Sequence, residues 1–248
     1  MPNQQFKDDG FLKNESSNLS NHSRRKFLGY AGLSASALLF ATSCKKDISQ
    51  TPDLTAALNS EGGGKDGGKR NVNLGEGDIG ILNYAYALEQ LEAAFYIKAL
   101  SAPYSGITAK ELEYLTDIRD HEIAHREWFK NVLGDARIGG LILDFSSINF
   151  NSRAEVLGTA KALEDVGVSA YNGAGELLQS ATYLLFAGKI VSVEARHAAT
   201  LRDFLSYGTF ADTADAMGLD LYRTPPEVLA IADTYILTNI NAKNLPTS

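Results

Sequence analysis

Two of the four histidines in this 248-residue chain sit in the same pairing with glutamate: Glu122-Ile-Ala-His125 and Glu194-Ala-Arg-His197. Residues three apart share a face of a helix, so each motif turns one carboxylate and one imidazole toward a single point. A lone glutamate stands 30 residues ahead of each motif, Glu92 before Glu122 and Glu164 before Glu194. The set Glu92, Glu122 and His125 therefore recurs 72 residues later as Glu164, Glu194 and His197, with Leu91 and Leu133 matched by Leu163 and Leu205. Glu89 shares the first helix and is the rival to Glu92; the 72-residue offset favours Glu92. Four carboxylates and two imidazoles are donors suited to Fe or Mn. Buried together without cations, the carboxylates would repel one another and need protonation. Two bound metal ions are the expectation.

The surrounding pattern supplies helices to carry these groups. Ile79, Leu82, Tyr86, Glu89 and Ala93 follow three-to-four spacing, and the run continues to Leu100 before Pro103 ends it. Thr108-Ala-Lys-Glu111, Ser152-Arg-Ala-Glu155 and Thr224-Pro-Pro-Glu227 each have the capping-box form, in which hydroxyl and carboxylate satisfy each other's orphan backbone donors. Gly134, Gly173, Gly175 and Gly208 stand at the expected stops. The spacing predicts helices over 78–101, 108–133, 152–172 and 176–206, and a shorter one over 225–240. Between the second and third lies a long connector with the extended-looking run Leu141 to Phe145. At roughly 3.3 Å per extended residue it can run the length of a bundle. The fold class expected is all-α: a four-helix bundle with a long crossover between its two hairpins and an additional C-terminal helix.

Among the remaining candidates, Tyr96 and Tyr171 lie on or near the ligand-bearing faces, placed to hydrogen-bond a carboxylate or simply to pack. Trp128 is most simply core. His121 is set about 100° from the Glu122/His125 stripe, which makes it a surface or outer-layer group. No nucleophile triad or nucleotide fingerprint is present, and Gly62 to Gly68 neither follows a strand nor opens a helix.

The arrangement is similar to ferritin-like di-iron and di-manganese bundles, which take one Glu from each of two helices and a Glu-x-x-His from each of the other two. More narrowly, Leu91-Glu92-Ala93-Ala94-Phe95-Tyr96, the two Glu-x-x-His helices and Thr224 to Ala230 resemble the ferritin-like domain family of bacterial exported and plant desiccation-related proteins. That resemblance covers about residues 77–242. It implies the ferritin-like fold; ferritins and rubrerythrins, more distant by motif, imply ferroxidase or peroxide-reducing chemistry.

The N-terminus reads as an address rather than as fold. Ser23-Arg-Arg-Lys-Phe-Leu-Gly29, a small and apolar run from Tyr30 to Phe40, then Ala41-Thr42-Ser43-Cys44 form a basic, an apolar and a small-residue region in order. The first resembles a twin-arginine export motif and the last a lipobox, in which Cys44, the chain's one cysteine, becomes the acylated residue. Lys46 resembles the outer-membrane class of lipoproteins. Residues 1–43 would be the export signal, 45–77 a flexible Gly-rich tether and 78–242 the folded domain, in the bacterial cell envelope and held at a membrane by its lipid. Residues 1–43 carry five Lys/Arg against three Asp/Glu, so their removal takes the net charge from −7 to −9 and leaves no basic stripe for nucleic acid. The expected partners are metal ions, a membrane through the anchor and, as an open question, further copies of the chain. The functional expectation is a dinuclear Fe or Mn oxidoreductase acting on oxygen, peroxide or ferrous iron in envelope stress protection. The alternative is a non-catalytic, metal-stabilised binding or desiccation-protective module.

Overall fold

Hydroxyl-plus-carboxylate signals mark three of the helix starts in the computed structural model, which describes residues 71–247. The expected export signal, Cys44 and the Gly62–Gly68 run lie outside the described residues. The described elements are strand β1 (Asn71–Asn73), helices α1 (Gly77–Ser101), α2 (Ala109–Leu133), α3 (Arg153–Gly175), α4 (Ala181–Leu205) and α5 (Pro225–Ala232), and strand β2 (Asn239–Asn241). Thr108 caps α2 with a full capping box, its hydroxyl accepting from Glu111 N–H at 3.1 Å while the Glu111 carboxylate accepts from Thr108 N–H at 2.9 Å. At α3 only half of the box forms: Ser152 accepts from Glu155 N–H, but the Glu155 carboxylate reaches past it to Asn149 N–H. Glu227 accepts from both the N–H and the hydroxyl of Thr224 at the start of α5.

Three expected boundaries shift: the third helix runs on to Gly175, past 172 and through the expected stop at Gly173. The fourth helix starts at Ala181 rather than 176. Its cap, Ser180, has Tyr183 where a capping box would place Glu, and the loop before it is held from across the bundle by the Asp78 carboxylate, which accepts from Gln179 and Ser180 N–H at 2.8 and 2.9 Å. The last helix ends at Ala232, not near 240, because residues 234–238 turn away to line the crossover. There Leu143 bridges Ile236 in antiparallel fashion, and Asp144 N–H and Leu237 N–H donate to the carbonyls of Tyr235 and Ile142. The end of the expected tether is also structured: Asn71–Asn73 pairs in parallel with Asn239–Asn241, which ties the domain's entry to its C-terminal tail.

α1 packs against α2 and α3 against α4, and the two hairpins join chiefly through α1 on α3. α1 is consequently buried on nearly all sides from Gly80 to Ala93, wider than the single stripe its spacing suggests. Its polar side chains serve the crossover: Asn83 donates to the carbonyls of Leu74 and Ala136 and accepts from Ile138 N–H, and Gln90 accepts from Leu141 N–H. Phe145 and Phe150 then close over Phe95. The α2–α4 side is the least packed flank of the bundle. No helix among the described residues is long and apolar enough to cross a membrane.

Candidate metal centre

Five glutamates converge inside this bundle, Glu89 and Glu92 from α1, Glu122 from α2, Glu164 from α3 and Glu194 from α4, and none is more than 2% exposed. Glu is rarely buried unless paired. His125 from α2 and His197 from α4 meet them. The donors fall into two interlocking groups, Glu89, Glu122, His125 and Glu194, and Glu122, Glu164, Glu194 and His197, with the ligand atoms of each within 4.8 Å of one another. Glu122 and Glu194 belong to both.

The imidazoles face inward through the same atom. Nδ1 of His125 lies 2.8 Å from Glu194, 3.5 Å from Glu89 and 3.6 Å from Glu122. Nδ1 of His197 lies 2.9 Å from Glu122, 3.2 Å from Glu164 and 3.7 Å from Glu194. Short distances do not make aligned hydrogen bonds here. Both carboxylate oxygens of Glu122 and of Glu194, one oxygen each of Glu89 and Glu92, and Nδ1 of His125 have no hydrogen-bond partner. Orphaned buried lone pairs of this number are costly unless something bonds them, and lone pairs converging on two points are what a pair of cations requires. The residues present fit such a pair.

Electrostatics agree. Burial pushes the Glu89 carboxyl up to about 8, against the pull of His125. Burial, then the neighbouring carboxylates, hold Glu92 well above the ordinary range; burial also raises Glu164, partly opposed by His197. Glu194 goes the other way: burial would raise it, but the facing imidazoles of His125 and His197, 2.8 and 3.7 Å away, outweigh that and hold it below the ordinary carboxylate range. Burial alone would lower both histidines; facing carboxylates instead raise His125 strongly and His197 to about 12. Without cations, protons and imidazolium charge balance this core.

The six residues expected from the 72-residue offset all enter the cluster, but Glu89 rather than Glu92 completes the first group. The reason is the connecting geometry. From Glu89 to Glu122 the chain runs 33 residues, against 30 from Glu164 to Glu194, because the first hairpin turns over 102–108 and the second over the shorter 176–180, and α1 runs one residue further past its glutamate. The offset relating α2 to α4 is thus 72, whereas α1 maps onto α3 with 75. The tyrosines show it: Tyr96 and Tyr171 each stand seven residues after Glu89 and Glu164, and each donates its hydroxyl across the bundle to the other's glutamate, Tyr96 to Glu164 and Tyr171 to Glu89. That shared seven-residue spacing is a signal by which Glu89 was identifiable in the sequence.

Glu92 is an addition without a counterpart. Its position in α1 maps onto Gly167 in α3, where a Cβ would lie 2.9 Å from the Glu92 carboxylate and 3.6 Å from that of Glu194. The missing side chain makes the room Glu92 occupies. Trp128 packs at the rim on Phe129 and Phe186. His121, on the outer side of α2, reaches His197 of α4, a contact made only by tertiary packing.

Comparison with curated proteins gives no match. The sequence pattern of the ferritin-like domain matches residues 77–207, more than half of the chain and all four long helices, leaving α5 and the strand pair outside it. With that match and a buried carboxylate and histidine cluster at the crossing of its four long helices, the chain belongs to the ferritin-like domain family.

Proposed function

We propose that this cluster holds two Fe or Mn ions as resident cofactors and that the protein is an oxidoreductase acting on oxygen, peroxide or ferrous iron. The observation that carries the reading is the sharing of Glu122 and Glu194 between two four-residue groups. Glu122 and Glu194 would serve both ions, with Glu89 and His125 completing one position, Glu164 and His197 the other, and Glu92 in reach of the pair. Two such ions, when bound, supply adjacent one-electron centres for a small oxidant or for ferrous iron.

The chain's own groups prepare the site. The apolar bundle excludes bulk water, which strengthens every charge interaction inside it. Tyr96 and Tyr171 donate to Glu164 and Glu89 and so hold the outer carboxylates in place. His125, whose side chain is 13% exposed against 5% for His197, lies nearest to solvent and marks the side from which a small reactant would enter.

Cellular placement follows from the N-terminus: export through the Arg24-Arg25 motif, then anchoring at the outer membrane through an acylated Cys44. Cys44→Ser is expected to move the protein from the membrane to the soluble envelope fraction, and Arg24→Lys with Arg25→Lys to hold it inside the cell. For activity, purified protein loaded with Fe or Mn should consume peroxide or oxidise ferrous iron, and Glu122→Ala should lower the rate by more than about tenfold. A loaded, folded protein that binds two ions and turns over neither reactant would replace this reading with a metal-stabilised protective module.

A further inference from the structure

The two inward-facing histidines are not supported alike. His197 turns Nδ1 to Glu122, Glu164 and Glu194, while its Nε2 lies 2.9 Å from Nδ1 of His121. The two rings are within 10° of parallel, with centroids 5.1 Å apart. That separation is close to the hydrogen-bond length plus two ring radii, so the rings meet edge to edge in one plane rather than face to face. His121 is exposed at the bundle surface, so one hydrogen bond links the buried ligand group to an outer side chain. The position matching His121 on α4, 72 residues on, is Val193, whose side chain has no hydrogen-bonding atom to offer His125.

We propose that His121 is a positioning residue for His197, and that through it the two metal positions are inequivalent, the Glu164/His197 position being the tighter. This rests on the dinuclear reading above. An imidazole that offers the lone pair of Nδ1 to a cation carries its proton on Nε2. That N–H must then donate, and His121 Nδ1 is the acceptor in line with it, leaving the N–H of His121 at the surface. Outer partners of this kind fix the tautomer and the ring orientation of a ligand histidine, and their loss typically lowers metal affinity about 10–100-fold. His125 receives no such support from Val193.

Co²⁺ titration of the metal-free full chain, followed by the visible absorption that reports each ion's ligands, tests this. Wild type is expected to take two ions in two resolved steps. His121→Leu should weaken the tighter step by about 10–100-fold and leave the other in place. His121→Asn, whose amide oxygen occupies the place of Nδ1, should restore it. His121 is exposed, so both variants are expected to keep the wild-type helical circular dichroism. Two unchanged steps in His121→Leu, or an Asn variant no better than Leu, would overturn the proposal while leaving the dinuclear centre standing. If wild type takes up no Co²⁺, the dinuclear reading fails instead. The His121 contact is then decided by the ¹⁵N resonances of the His197 ring in the metal-free protein, which should shift in His121→Leu and not in His121→Asn; no shift overturns it.

Discussion

The two halves of the buried cluster are built on one plan and depart from it in two places. Glu89, Tyr96, Glu122 and His125 on the first hairpin correspond to Glu164, Tyr171, Glu194 and His197 on the second, with the tyrosine of each half bonded to the glutamate of the other. The departures are Glu92 against Gly167, which gives the first half an extra carboxylate, and His121 against Val193, which gives the second half an extra hydrogen bond. The symmetric parts define where charge is needed. The asymmetric parts make the halves chemically different, so a disturbance of a shared residue should act on both, and one of an unshared residue on a single side.

The largest effect should come from the shared carboxylates. Glu122→Ala or Glu194→Ala removes an oxygen donor from both groups and should lose both ions, whereas Glu164→Ala should leave one ion bound at the Glu89/His125 position, as read by metal content after gel filtration. Equal losses in all three variants would break the distinction between bridging and outer carboxylates.

Acidity is expected to act on the scale of a few kcal/mol, since one unit of pKa is about 1.4 kcal/mol. Glu89 rises from 4.5 to about 8 on folding, so in the metal-free protein the native state holds a proton that the unfolded chain has lost across that window. Stability on this account is full below about pH 4.5 and falls as pH climbs to 8. Glu92 and Glu164, also raised, act in the same direction, and His197, raised from 6.5 to about 12, extends the fall. The depressed Glu194 adds its share below the ordinary carboxylate range and is complete by then. Metal binding should show the opposite slope, tightening with pH as protons are displaced. Denaturant midpoints of the metal-free protein that rise between pH 5 and 8 would contradict this balance.

Smaller again is the pair that makes the halves unlike. Gly167→Ala places a methyl 2.9 Å from the Glu92 carboxylate, so that buried side chain must shift, at a cost that should outweigh the roughly 1 kcal/mol Ala gains over Gly inside a helix. In a Glu92→Ala background most of that cost should vanish. Urea unfolding of the four proteins gives the coupling, and additive costs would show that Gly167 is not there for Glu92. Last, Thr108→Ala removes a complete capping box far from the cluster and should cost about 1 kcal/mol with metal content unchanged.

Which parts of this were legible in the sequence follows from how local each signal is. The starts of α2, α3 and α5 announce themselves within four residues, through Thr108, Ser152 and Thr224. The start of α4 does not, because Asp78, which holds its loop, lies 101 residues from Gln179. The strand pair is equally hidden: Asn-Val-Asn and Asn-Ile-Asn are too short to carry a period, and they meet only because the segments before α1 and after α5 come to one edge. In the cluster, the Glu-x-x-His motifs were readable from helical spacing, and Glu164 from its 30-residue interval to Glu194. The choice between Glu89 and Glu92 turned on loop length, which offset counting cannot see, and both are buried there, Glu89 within a four-residue donor group and Glu92 beside it. The contact between His121 and His197 depends on how α2 lies against α4, and nothing in either helix alone encodes it.

Whether the shared carboxylates hold two ions is decided by elemental analysis of the purified full chain beside its Glu122→Ala variant. Near two Fe or Mn per chain in the wild type, with both lost in the variant, is the expected result; no transition metal in either protein would overturn the dinuclear centre.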